Sequence, residues 1–183
     1  MNGIDVRKLP MATIVTNAVL FQVGWFACVL GAANGVPWIG LVAVGAIAAW
    51  HIAQARDRSA EVRLLLLATG LGALFETLLA RTGWMQFNAG VWIAGMAPAW
   101  MVALWVNFAT MLNVSLRPLR DRLLLVALLG AVGAPIAYFG GSRLGALEMT
   151  EVAPALTAVG AGWLLLGPVL FVAARRFDGY ARR

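Results

Sequence analysis

Leu123-Leu124-Leu125-Val126-Ala127-Leu128-Leu129-Gly130-Ala131-Val132-Gly133-Ala134-Pro135-Ile136-Ala137-Tyr138-Phe139-Gly140-Gly141 contains no charged side chain. A helix rises about 1.5 Å per residue and the hydrocarbon core of a bilayer is about 30 Å thick, so this run is the length of one crossing. A transmembrane β-strand would be about ten residues long, alternating apolar and polar positions. The run is twice that length and apolar throughout. It predicts a membrane helix over 121–141.

Five other stretches have the same character, at 12–33, 36–56, 62–81, 95–116 and 153–175. Breakers separate them. Asn34-Gly35-Val36-Pro37 reads as a tight turn, and Arg56-Asp57-Arg58-Ser59 as a charged loop. Thr82 to Gly95 is a longer aromatic connection, Arg117-Pro118 stops the fourth helix, and Gly140-Gly141-Ser142-Arg143 ends the fifth. Pro135, Pro154 and Pro168 are expected to bend or start helices.

The composition agrees. Of 183 residues, 62% are hydrophobic and only 12% charged, whereas an ordinary soluble domain is about a quarter charged. A soluble domain needs a polar shell as well as a core, and this chain has too few polar residues to make one. The fold class is therefore all-α integral membrane, a six-transmembrane-helix bundle forming one polytopic domain over 1–183. The N-terminal apolar run is too long for a cleavable signal and reads as the first membrane helix.

The basic residues orient the bundle. If the N-terminus is cytoplasmic, that side carries Arg7 and Lys8; Arg56, Arg58 and Arg63; Arg117, Arg120 and Arg122; and Arg175, Arg176, Arg182 and Arg183. That is 12 of the 14 basic residues, leaving Arg81 and Arg143 opposite. The positive-inside rule then places both termini in the cytoplasm. The net charge of +6 comes from these loop clusters. No basic stripe spans a polar face, so nucleic acid is excluded as a partner.

Glu76, in Gly72-Ala73-Leu74-Phe75-Glu76-Thr77, is the most informative residue. A carboxyl at membrane depth costs on the order of 3 kcal/mol, so it marks either a substrate or proton site or a polar clamp between helices. Arg81 lies about 140° around the helix from it and is a poor partner, while Arg143 could reach it only if helices three and five are neighbours. Trp100, Ala103, Asn107 and Thr110 share one face of the fourth helix, with Asn107 near mid-membrane. That face either lines a pocket or bonds another helix. Gln22 and Trp25 form a smaller pair of the same kind. Tyr138 and Arg143 stand near the outer end of the fifth helix, where tyrosine is commonly an interfacial anchor. The segment Gly83–Trp92 fits an interfacial anchor or a lid over an outward-facing pocket.

Several classes are excluded. His51 is the only histidine and reads as a polar residue between helices. Di-iron oxygenases and bis-histidine haem sites need more ligands than that. Cys28 is the only cysteine and reads as a packing residue. There is no nucleophile elbow, no Ser-x-x-Lys pair and no phosphate-binding loop. No metal and no cofactor is expected.

Phe21–Ala33, Pro98–Thr110, Gly133-Ala134-Pro135-Ile136-Ala137-Tyr138 and Arg143-Leu144-Gly145-Ala146-Leu147 together resemble a family of bacterial inner-membrane proteins catalogued as domain of unknown function 2878. The resemblance covers nearly the whole chain. It implies an inner-membrane location, an acidic residue in the third helix that Glu76 matches, and a role near phospholipids or fatty acyl chains. No reaction comes with it.

The functional expectation is a pocket opening outward that holds a lipid or other amphiphile, lined by Glu76, Trp100, Asn107, Tyr138 and Arg143, with Arg143 on an anionic head group. Membrane lipids are the expected partners, with lipid-modifying enzymes or a second copy of the chain beside them. A membrane enzyme of fatty-acid or phospholipid modification, with Glu76 as acid or base, is the alternative. A small transporter or substrate-capture subunit is a further one.

Overall fold

The computed structural model describes residues 9–181. Arg7, Lys8, Arg182 and Arg183 of the charge count lie outside them. Among the described residues there are six α-helices: α1 Met11–Ala33, α2 Trp38–Gln54, α3 Arg58–Arg81, α4 Ala99–Leu112, α5 Leu123–Arg143 and α6 Val152–Arg176. Four of them, α1, α3, α5 and α6, are long and apolar enough to cross a membrane.

Local chemistry sets the boundaries. The Asp57 side chain accepts a hydrogen bond from Ala60 N at 3.1 Å and caps α3, and Glu61 sits in that first turn. The fourth helix is shorter than the expected 95–116. Gly95 adopts a φ of 75°, and Pro98 is extended, which holds the preceding residues out of the helix. At the other end the chain turns at Asn113 and passes into a 3-10 turn, Arg117–Leu119, that contains Pro118. The 14 residues of α4 span only ~21 Å.

Successive helices run in opposite directions. At one end the α3–α4 and α5–α6 connections meet in a two-stranded antiparallel ribbon, β1 Met85–Phe87 with β2 Leu147–Met149. Gln86 pairs with Glu148 there, and Asn88 Nδ2 donates to Gly145 O at 2.8 Å. At the opposite end the backbone N–H groups of Arg56 and Asp57 both donate to Gly179 O, and Arg117 and Arg120 bind Asp178.

Helix α4 is the centre of the bundle, packed against α1, α2, α3 and α6, while α5 packs chiefly on α6. Helices α1 and α2 touch at Gly40, where a β-carbon would lie 2.6 Å from Cys28 Cα. Cys28 is thus a buried packing residue with a free thiol. The distribution of polarity is inverted relative to a soluble protein. Val15, Val19, Val42, Leu66, Leu124 and Val132 are all more than half exposed, whereas Asn17, His51, Glu61, Glu76, Asn107 and Asn113 are at most 1% exposed. Buried amides and carboxyls must find partners inside. Asn17 does so on both sides of its amide: Nδ2 donates to Thr110 O of α4 at 3.1 Å, and Oδ1 accepts from Ser115 Oγ just beyond α4 at 2.7 Å.

Candidate functional site

Helix α3 carries two fully buried carboxyls, Glu61 in its first turn and Glu76 near its far end. Fifteen positions separate them, about 22 Å along the axis.

Glu76 Oε1 accepts from Trp105 Nε1 of α4 at 2.8 Å and from the Tyr138 hydroxyl of α5. Three helices thus converge on one oxygen. Close packing makes this possible: a β-carbon at Gly72 would run into the Trp105 ring. Glu76 Oε2 is buried and has no hydrogen-bond partner. Among the described residues no basic group forms an ion pair with Glu76. Arg81 is exposed and donates to Gly95 O at 3.2 Å instead.

Tyr138 and Trp105 form part of the wall of a cavity of about 500 Å³. It lies between α1 and α4 on one side and α5 and α6 on the other. Its long axis runs from Gly141 and Leu147 at the ribbon end to Leu116 and Leu119 at the opposite end. The lining is apolar and rich in aromatic rings, and no charged side chain takes part in it. The α5 wall is built of small residues, Gly130, Gly133, Ala134 and Ala137 among them. A β-carbon at Gly133 would meet nothing within 4 Å. Trp163 of α6 stacks on Trp105 with ring centroids 4.7 Å apart and an interplanar angle of 24°. Its Nε1 is buried without a hydrogen-bond partner. Two of the lining residues, Leu129 and Ile136, are more than half exposed, so the cavity opens to the exterior beside α5, and Gln22 lines both it and a shallow groove on the outer face of α1.

The five sequence candidates divide. Glu76 and Tyr138 are brought into contact. Trp100 lines the cavity and fixes the long connection by donating from Nε1 to Ala89 O at 3.0 Å. Asn107 turns toward α1, where Nδ2 donates to Phe21 O at 2.9 Å and the amide fills the space a side chain at Gly24 would need. Arg143 is exposed at the last residue of α5 and does not line the cavity. The 83–92 segment forms half of the ribbon that closes one end, with Leu147 of the facing strand on the cavity wall. Trp105 and Trp163 were not singled out from sequence, because a tryptophan in an apolar helix carries no mark of a hydrogen-bonding role.

Glu61 was missed as well, and its surroundings are different. Oε2 lies 2.8 Å from His51 Nε2. Oε1 accepts from Asn113 Nδ2 at 2.7 Å and from Gly179 N at 2.8 Å. Tyr180 closes the cluster, its hydroxyl donating to His51 O at 2.7 Å. Burial, and then the nearby Glu61 carboxyl, push the Tyr180 phenol well above its ordinary pKa. Arg120 reaches the same cluster through Asn113 Oδ1 and pairs with Asp178 at 2.7 Å. Both oxygens of Glu61 are satisfied, and the cavity does not extend to it.

The model of the family described as protein of unknown function (DUF2878) matches residues 14–169. The chain belongs to that family. The matched DUF2878 region includes Glu76, Trp105, Tyr138 and Trp163, and it stops before the 177–180 segment that covers Glu61. No curated protein and no solved structure matches the chain.

Proposed function

We propose that this protein crosses the bacterial inner membrane six times, with both termini in the cytoplasm, and holds a lipid or other amphiphile in the cavity between α1 and α5. The single observation that carries this reading is the uncharged, aromatic-lined cavity of about 500 Å³ set against the Glu76–Tyr138 pair. Ligand sites are concave, mostly apolar and furnished with a few placed polar groups. A cavity that opens to the apolar exterior beside Leu129 and Ile136 admits a ligand from the bilayer.

The alternating helix directions and the positive-inside rule support six crossings. Helix α4 is too short to span hydrocarbon alone. It is surrounded by other helices, so its ends lie within protein, where irregular backbone is tolerated at membrane depth. On this orientation the ribbon, Glu76 and Tyr138 belong to the outer half and Glu61 to the cytoplasmic half.

The test is native mass spectrometry of the protein purified in mild detergent, beside Glu76→Gln. The wild type is expected to retain a co-purified amphiphile, and Glu76→Gln to retain less of it while melting as a folded helical protein. A wild type that carries nothing, or equal retention in a well-folded Glu76→Gln, contradicts the reading.

The hydrogen bond from Tyr138 to a buried carboxyl favours one second reading, an enzyme of lipid modification. A tyrosine held by a carboxyl can pass a proton to or from a bound molecule. In that case deletion changes the lipid composition of the membrane, and Glu76→Gln binds its ligand but leaves it unchanged.

A further inference from the structure

Gln22 lies in the middle of the 23 residues of α1, about 16 Å along the axis from either end. In a helix that crosses the membrane this is mid-depth, too far from interfacial water for the side chain to reach it. An amide carries both donors and an acceptor, and hydrocarbon offers it no partner. Asn17, the other amide of α1, turns inward and is satisfied on both sides. Gln22 is exposed, and among the described residues its amide has no hydrogen-bond partner.

The surrounding residues form a seam. Val15, Val19, Gln22 and Phe26 follow one another at intervals of 4, 3 and 4, and all are exposed. They lie on the side of α1 away from Gly24, Cys28 and Gly31, which are buried. That spacing is the one with which a helix packs along a second helix. Ala18 sits beside them in the shallow groove of the outer face. The valines are stiff and lose little rotamer freedom on packing. Helix α1 carries no charged side chain, so no like charge opposes the approach of another α1.

Symmetry selects the occupant. All copies of a chain enter the bilayer the same way up, so two copies that pair through one face are related by a two-fold axis along the membrane normal. Their α1 helices then run parallel, and each residue near the axis meets its own copy at the same depth. A glutamine amide complements itself, because each Nε2 can donate to the other's Oε1. A second copy therefore satisfies Gln22 at the depth where it stands, and a lipid tail does not.

We infer that the outer face of α1 is the homodimer interface of this protein, a parallel seam of Val15, Val19 and Phe26 held in register by a Gln22–Gln22 pair. The inference is independent of the ligand and rests on α1 crossing the membrane, for which it is long and apolar enough. Gln22 also lines the cavity, so the cavity of each copy borders the seam.

Cysteine cross-linking in native membranes, with copper phenanthroline as oxidant, tests it. A disulfide forms only between residues whose Cα atoms come within about 7 Å, so a parallel seam joins each position to its own copy. Val15→Cys and Val19→Cys are each expected to give a product of two chains. Leu66→Cys on the exposed face of α3, and the wild type with its buried Cys28, should give at most about a tenth as much. In detergent, sedimentation of Gln22→Leu should show the dimer dissociation constant raised about tenfold, the weight of the amide pair. Gln22→Asn, which keeps an amide, should recover part of that loss. No two-chain product at either valine, a product of any other mass, or equal cross-linking at Leu66→Cys overturns the interface. Undiminished association of Gln22→Leu overturns the role of the amide.

Discussion

Glu61 and Glu76 lie on the same helix, are equally buried, and have opposite surroundings. Glu61 has every lone-pair direction that matters occupied: His51 on one oxygen, Asn113 and the Gly179 backbone on the other. The chain end folds over it, and Gly179 is the residue that permits this, since a β-carbon there would collide with the Asp57 carbonyl and crowd Glu61. Glu76 has one satisfied oxygen and one without a partner, and its hydrogen-bonding neighbours form the wall of a cavity. A saturated buried carboxyl fastens helices together. On the reading proposed above, an unsaturated one whose neighbours wall a cavity is the one that meets a molecule from outside the chain. The difference lies in the surroundings, not in the residue type or in its depth of burial.

Substitutions can break that contrast. Glu61→Ala should have the largest effect on stability, about 3–5 kcal/mol, because it strands His51 and Asn113 in a dry interior. A thermal or chemical melt in detergent reads this directly. Gly179→Ala should follow, at about 1–3 kcal/mol of overpacking. It should also expose the C-terminal segment to protease, because Asp178 and Tyr180 leave their sites together. Tyr138→Phe should cost only about 1 kcal/mol, the value of one hydrogen bond, yet reduce amphiphile retention as strongly as Glu76→Gln does. Arg143→Ala, at an exposed helix end, should change stability by less than about 0.5 kcal/mol and leave retention unaltered. If Arg143→Ala abolished retention, the ligand would carry an anionic group outside the cavity, and the contrast would need to be redrawn.

The two sites were unequally legible in the sequence. Glu76 stands out because an acidic residue in the middle of an apolar run has no cheap explanation. Tyr138 was legible as a residue of interest, but its bond to Glu76 depends on α3 and α5 meeting across the bundle, which no local pattern specifies. Glu61 was invisible for the opposite reason. It sits among Arg56, Asp57, Arg58 and Arg63, a stretch that reads as a solvated loop, and it is buried by residues more than a hundred positions away. His51 was legible as a polar residue between helices, but not as the partner of that glutamate. The helical runs show in sequence because a bilayer demands long apolar segments. The ribbon does not, because strands of three residues paired across 60 positions and more leave no periodicity. The late start of α4 was readable in principle from Gly95 and Pro98, whose preferences work against a helix starting before Ala99.

Filling the cavity is the most direct test of the account. Gly133 lies on the exposed rim of the cavity wall with nothing within 4 Å of a β-carbon, so Gly133→Phe has room to lay its ring across the cavity mouth without displacing backbone, and losing a helix-interior glycine offsets part of any strain. Native mass spectrometry of wild type and Gly133→Phe, purified side by side, should show a bound amphiphile in the first and none in the second, with melting temperatures unchanged or higher in the variant. Equal occupancy in the two proteins would mean that the ligand is held elsewhere, and would contradict the assignment of this cavity as the functional site.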